Sequence, residues 1–144
     1  IQSRIIIDPD HDAYIQKKYA VMEENEQMWE EYKLEDAEYV ITAFGTVARI
    51  AKSAIVELKE QGINVGLVRP ITVWPFPYDA VKKAAEQPGV KAVLDVELNE
   101  GQMLEDVKLA INGAKPVDFF GHLGSQMPTT EEIKAKIISM KEGK

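Results

Sequence analysis

Between Tyr39 and Val68 two apolar, strand-like runs flank one helical stripe, and that pattern leaves few folds open to the chain. Tyr39 to Phe44 is short, mostly apolar and rich in strand formers, and it stops at Gly45. Val47, Ile50, Ala51, Ala54, Ile55 and Leu58 recur at helical spacing and line one side of a helix. Gln61-Gly62 ends that helix, and Ile63 to Val68 is the second strand. Strand, helix and strand in this order predict a right-handed parallel crossover, with ligands or partners met beyond the strands' carboxyl ends. Arg69-Pro70-Ile71-Thr72-Val73-Trp74-Pro75-Phe76-Pro77 leaves from one of those ends. Three prolines stiffen it, and Trp74 and Phe76 give it rigid apolar area that is costly to expose without a partner.

The rest of the chain repeats the alternation. Tyr78 to Gln87 reads as a short helix stopped by Pro88-Gly89, and Val90 to Leu98 as a strand. Gly101 to Asn112 reads as a helix with Met103, Leu104, Val107, Ala110 and Ile111 on one side. Lys115 to Phe120 reads as a strand, the glycine-broken 121–125 as a loop, and Thr130 to Met140 as a last helix on Ile133, Ile137 and Ile138. Strands alternating with helices predict a three-layer αβα sandwich with a mostly parallel sheet. Upstream, Asp10 is a plausible helix cap, and one long helix is expected to about Tyr32 on Ile15, Tyr19, Met22, Trp29 and Tyr32, interrupted at Glu26. Residues 1–35 are therefore read as an acidic helical linker arm, and residues 36–144 as the α/β domain.

Charge sharpens that division. The net charge is −7, and residues 1–35 hold nine acids against four bases. An acidic arm on a near-neutral body, with no basic patch interleaved with aromatics, excludes nucleic acid as the expected partner. No apolar run is long enough for a membrane-spanning helix, and no leader is legible, so a cytoplasmic location is expected. There is no cysteine, so these residues make no disulfide, ligate no iron–sulfur cluster and use no thiol nucleophile. The chain opens on Ile rather than Met and is read as a piece of a longer polypeptide.

Each polar constellation has a modest reading. Phe44-Gly45-Thr46-Val47 turns from strand to helix, where free amides favour anions, but it lacks a dinucleotide fingerprint's further glycines and a P-loop's lysine. A cap by Thr46 is simpler. Asn99 with Gln102, and Thr129 with Glu132, have capping-box spacing. Glu97 ends a strand and is expected to point into the loop layer. Asp8, Asp10, His11 and Asp12 read as a helix start rather than a metal site, and His122 as a loop hydrogen-bonder. Arg69 is expected to be held by backbone carbonyls or a carboxylate, fixing the loop that carries Trp74 and Phe76.

FGTVARIAK followed by GLVRPITVWPFP resembles domain II of the alpha subunit of thiamine-diphosphate-dependent 2-oxoacid:ferredoxin oxidoreductases, a domain similar to the transketolase C-terminal domain. The resemblance continues through Glu97 to Met103 and through Pro128 to Ile133, and the fold it implies allows a short antiparallel edge strand near Tyr32 to Leu34. The segment YAVMEENEQMWEEYKLEDAEYV is most similar to the branched-chain, 2-oxoisovalerate type, with the 2-oxoglutarate type close behind. The resemblance implies an enzyme that oxidatively decarboxylates a 2-oxoacid, passing the acyl group to coenzyme A and the electrons to ferredoxin. It implies thiamine diphosphate and magnesium on an N-terminal domain of the same subunit, and iron–sulfur clusters on partner subunits. Beta, gamma and delta subunits would be the partners. This chain would be an interface module that binds no cofactor and contributes no catalytic residue. Its candidate interface residues are Arg69, Trp74, Phe76, Glu97, Asn99 and Gln102. Two other readings stay open on the residues alone: a stand-alone α/β cofactor-binding domain, and a non-enzymatic interaction module.

Overall fold

The computed structural model describes residues 9–124 and 126–143. The elements run α1 (Pro9–Asn25), β1 (Trp29–Tyr32), β2 (Tyr39–Thr42), α2 (Gly45–Glu60), β3 (Val65–Pro70), α3 (Tyr78–Ala85), β4 (Ala92–Glu97), α4 (Gln102–Ile111), β5 (Val117–Gly121) and α5 (Thr130–Glu142). The sheet has the order β1-β3-β2-β4-β5, parallel throughout except for β1, which pairs antiparallel with β3. The mostly parallel α/β sandwich expected from the alternation is what forms.

Both faces of the sheet are covered, so its central strands are apolar on both sides. On one face Ile41, Leu67, Leu94 and Val96 pack against α2 and α5 through Ala51, Ile55, Leu58, Ile133 and Ile137. On the other, Val40, Val68 and Val93 pack against α3 and α4 through Val81, Ala84, Val107 and Ile111. The stripe of α2 is buried at Val47, Ala51, Ala54, Ile55 and Leu58. Because β3 and β4 flank β2 on opposite sides, the connections after β2 and β4 diverge. A crevice opens there at the carboxyl edge.

The N-terminal segment departs from expectation. The helix stops at Asn25 rather than near Tyr32, and Trp29–Tyr32 becomes the edge strand β1. The cause is tertiary. Glu30 and Tyr32 stand opposite Arg69 and Leu67, and hydrogen bonding to β3 outweighs a helical pattern already broken at Glu26. The helix also starts at Pro9, which places Asp10 inside its first turn rather than at the cap. Asp8 and Ser125 lie outside the described residues. No residue of α1 is buried.

Candidate functional site

Among the described residues, three polar side chains are buried in the interior, and they cluster beside the crevice: Thr42, Asp95 and Glu97. Thr42 and Asp95 are partners across the β2–β4 ladder, and the Thr42 hydroxyl donates to Asp95 Oδ1 at 2.6 Å. Asp95 and Glu97 are two apart on β4 and face the same side, toward α3 and α4. Glu97 does not reach into solvent. Its carboxylate accepts from Met103 N at 3.0 Å, Leu104 N at 3.0 Å and Asn99 Nδ2 at 2.9 Å. Asn99 Oδ1 in turn accepts from Gly101 N at 2.7 Å and Gln102 N at 2.9 Å. The capping-box spacing of Asn99 and Gln102 is thus used in one direction, and a buried carboxylate takes the amides left over at the start of α4. Gly101 makes this possible at φ 95°, a left-handed conformation that side chains disfavour.

Asp95 is fully buried, and among the described residues no N–H or hydroxyl donor reaches its Oδ2. Burial, followed by the neighbouring Glu97 carboxylate, pushes its pKa up to about 8. The site therefore favours the protonated form of Asp95 at neutral pH, since a second buried charge beside the Glu97 carboxylate would be costly. Thr42 and Asp95 were not singled out by the sequence. The available signal was an acid inside the apolar run Ala92-Val93-Leu94-Asp95-Val96.

The stiff loop stands at the same edge. Arg69 is held as expected by a carboxylate, Nη1 lying 3.2 Å from Glu30 Oε2 on β1, and Lys52 pairs with the same residue. These two cations, Lys52 foremost, hold the Glu30 carboxyl below its usual range. Met28 O accepts from Ile71 N and Thr72 N, while the Thr72 hydroxyl accepts from Met28 N and donates to Pro75 O. The loop's path is therefore set by the turn before β1. Trp74 is half exposed, its ring edge-on to Tyr19 of α1 at 5.5 Å. Phe76 corrects the expectation of two exposed rings. At 3 % exposure it belongs to the core between the sheet and α3, edge-on to Tyr78 at 5.0 Å. The buried Pro75 and Pro77 carry the chain inward at that point, and Val73 is the exposed apolar neighbour of Trp74 instead.

Between loop and α4 lies a cavity of about 90 Å³, walled by Phe44, Val73, Phe76, Met103, Glu97 and Asp106. The Tyr78 hydroxyl donates to Asp106, which pushes the phenol up to about 12. Elsewhere, Thr129 and Glu132 form the full capping box of α5, Glu132 N donating to Thr129 Oγ1 and Thr129 N to Glu132 Oε2. His122 Nε2 lies 3.3 Å from Glu132. Thr46 does not cap α2, whose cap position is Phe44 without a side-chain bond. Among the described residues, no group of three or more His, Cys, Asp or Glu is placed to hold a metal, and no helix is long and apolar enough to cross a membrane.

Fold and edge together define a doubly wound α/β domain whose polar cluster stands at the switch of strand order. Residues 37–133 match the family model "Pyruvate:ferredoxin oxidoreductase core domain II", and the chain belongs to that family. The ketoisovalerate oxidoreductase subunit VorB of Methanothermobacter marburgensis is 44% identical over 124 residues, covering 86% of this chain and 34% of the relative. The 2-oxoglutarate synthase subunit KorA of Methanocaldococcus jannaschii is 34% identical over 110 residues, covering 76% of this chain and 29% of the relative. Among solved structures, a 2-oxoglutarate:ferredoxin oxidoreductase from Magnetococcus marinus superposes with a TM-score of 0.75 at 20% identity, over 93% of this chain and 24% of the other. A split-gene transketolase superposes at 0.64 and 17% identity, over 76% of this chain and 40% of the other. At those identities the likeness is one of fold. The chain spans about a third of the length of the first two relatives.

Proposed function

We propose that this chain is domain II of the alpha subunit of a 2-oxoacid:ferredoxin oxidoreductase, serving there as a structural and interface module. The intact enzyme would be a cytoplasmic assembly that oxidatively decarboxylates a 2-oxoacid to an acyl-CoA and passes electrons to ferredoxin. A branched-chain substrate is favoured by the greater likeness to the ketoisovalerate relative. The observation that carries the interface reading is the exposed Val73–Trp74 corner on a loop pinned by Met28, Thr72 and Arg69. Rigid aromatic area next to an apolar cavity is the composition of an interface anchor. In this reading Arg69 and Trp74 form the interface directly. Phe76, Glu97, Asn99 and Gln102 serve it from beneath, by fixing the loop and the start of α4.

Thiamine diphosphate, when bound, supplies the carbanion-stabilising chemistry that the reaction requires. The residues here do not fit it. The start of α2 has no glycine-rich cradle or lysine for a diphosphate, and no described cluster of oxygen ligands suits its magnesium. The cofactor is therefore assigned to the N-terminal domain of the same subunit, reached through the acidic segment that contains α1. Iron–sulfur clusters are assigned to partner subunits, since this chain has no cysteine. The test is reduction of a viologen dye by the assembled subunits with a panel of 2-oxoacids and coenzyme A. Turnover led by 2-oxoisovalerate is expected. Failure of every 2-oxoacid would overturn the reading.

A further inference from the structure

Three depressions lie side by side along the carboxyl edge, the middle one sharing Phe76 with one neighbour and Gln102 with the other. Every charged residue lining them is acidic: Glu23, Glu97, Glu100, Glu105 and Asp106. The middle one is the apolar cavity of about 90 Å³, and its lip is Val73, 67% exposed. Across Phe44 and Pro70 a wider cleft is walled by Gly45, Thr46, Arg49, Lys52 and Arg69. Lys52 and Arg69 share the one carboxylate of Glu30, and Arg49 makes no ion pair among the described residues. One edge of the sheet is thus basic at one end, apolar in the middle and acidic at the other. A partner docked the wrong way round would set like charges together, so the charge order specifies orientation.

We propose that this edge seats a segment of the thiamine-diphosphate-binding part of the same enzyme, in one orientation. That segment inserts an aliphatic side chain between Val73, Phe76 and Met103. It sets a lysine or arginine against Glu105 and Asp106, and a carboxylate against Arg49. The inference rests on the interface reading above and adds what the partner presents and which way it lies. Three features select the chemistry that this segment presents. The cavity is too small for a folded cofactor and matches the tip of a branched side chain. Its mouth is bordered by carboxylates, of which Glu105 and Glu100 are exposed and take no ion-pair partner among the described residues. The opposite end offers Arg49, which makes no ion pair among the described residues.

Carbodiimide labelling of the intact enzyme with a soluble amine tests this, with the same enzyme in denaturant giving the unprotected rate. Glu105 and Glu23 are expected to lose their labelling in the intact enzyme, while Glu60 at the far end of α2 keeps it. Without the soluble amine, a zero-length cross-link from Glu105 to a lysine outside residues 1–144 would mark the partner segment. Val73→Asp should restore labelling at Glu105 by unseating the aliphatic side chain, and Arg49→Glu should do so by repulsion. Labelling of Glu105 at the denatured rate overturns the proposal, as does protection that neither variant relieves. A cross-link to a lysine of a second copy of this chain overturns it in favour of self-association, since a face with opposite charges at its ends is complementary to itself in reverse. Dye reduction with 2-oxoacids is read on the same preparation, so an active enzyme with a fully labelled edge discards the docking arrangement alone.

Discussion

Asp95 is the residue whose environment most changes its chemistry. An aspartate has an ordinary pKa near about 4 in the unfolded chain, and burial beside Glu97 pushes it to about 8 in the fold. The native state therefore holds a proton that the unfolded state releases, and stability is greatest below the unfolded value. It falls as pH rises through about 8, and flattens above that. Asp95→Asn keeps an acceptor for Thr42 and a permanent donor for Glu97. Thermal or urea unfolding across pH should show the variant gaining on the wild type between pH 5 and pH 8 by on the order of a few kcal/mol. Parallel curves would show that Asp95 is not protonated in the fold. The wider lesson at this scale is one of partners. Glu97 was legible as a strand-ending acid. Its three donors were not, because two are backbone amides that reach it only when α4 folds back over β4.

Among the elements, α1 and β2 should behave most differently. α1 buries no residue, and its ring contact to Trp74 is edge-on at the surface, whereas all four residues of β2 are buried. Native-state hydrogen exchange should be markedly faster throughout Pro9–Asn25 than in Tyr39–Thr42 and Val65–Pro70, since opening α1 exposes little apolar area. Equal protection would mean that something else covers the helix. Two local devices carry definite costs. Thr129→Ala removes the hydroxyl of a complete capping box on α5 and should cost about 1 kcal/mol in denaturant unfolding. Gly66→Ala places a Cβ 2.6 Å from Leu34 Cδ2 and 3.0 Å from Lys33 O, where the chain crosses β3 on leaving β1. That crowding should cost about 1–3 kcal/mol by the same measurement. The capping box was readable from spacing. The crowding at Gly66 was not, because it depends on β1 becoming a strand.

At the scale of the molecule, the described residues form one sandwich with a packed core on each face of the sheet. Calorimetric titration of the isolated chain with thiamine diphosphate and magnesium should show no saturable micromolar binding, and saturation would move the cofactor site into this domain. Trp74→Ala should leave the melting of the isolated chain nearly unchanged, because its ring is half exposed, while weakening the assembled enzyme. The sequence by itself determined the parallel α/β layout, since apolar runs at a period of two and a stripe at 3.6 admit no other burial. It also determined the rigid Arg69–Pro77 loop and the α5 cap, which are written in contiguous residues. Only the tertiary structure decided that Trp29–Tyr32 is a strand, that Phe76 turns inward while Val73 and Trp74 stay out, and that Thr42, Asp95 and Glu97 meet. Each of these turns on partners distant along the chain: β3 for the edge strand, the α3 face of the core for Phe76, and the β2–β4 ladder with the first turn of α4 for the buried acids. Local pattern records which residues seek burial, and the choice of partner follows from loop closure and sheet order, which no single window of sequence contains.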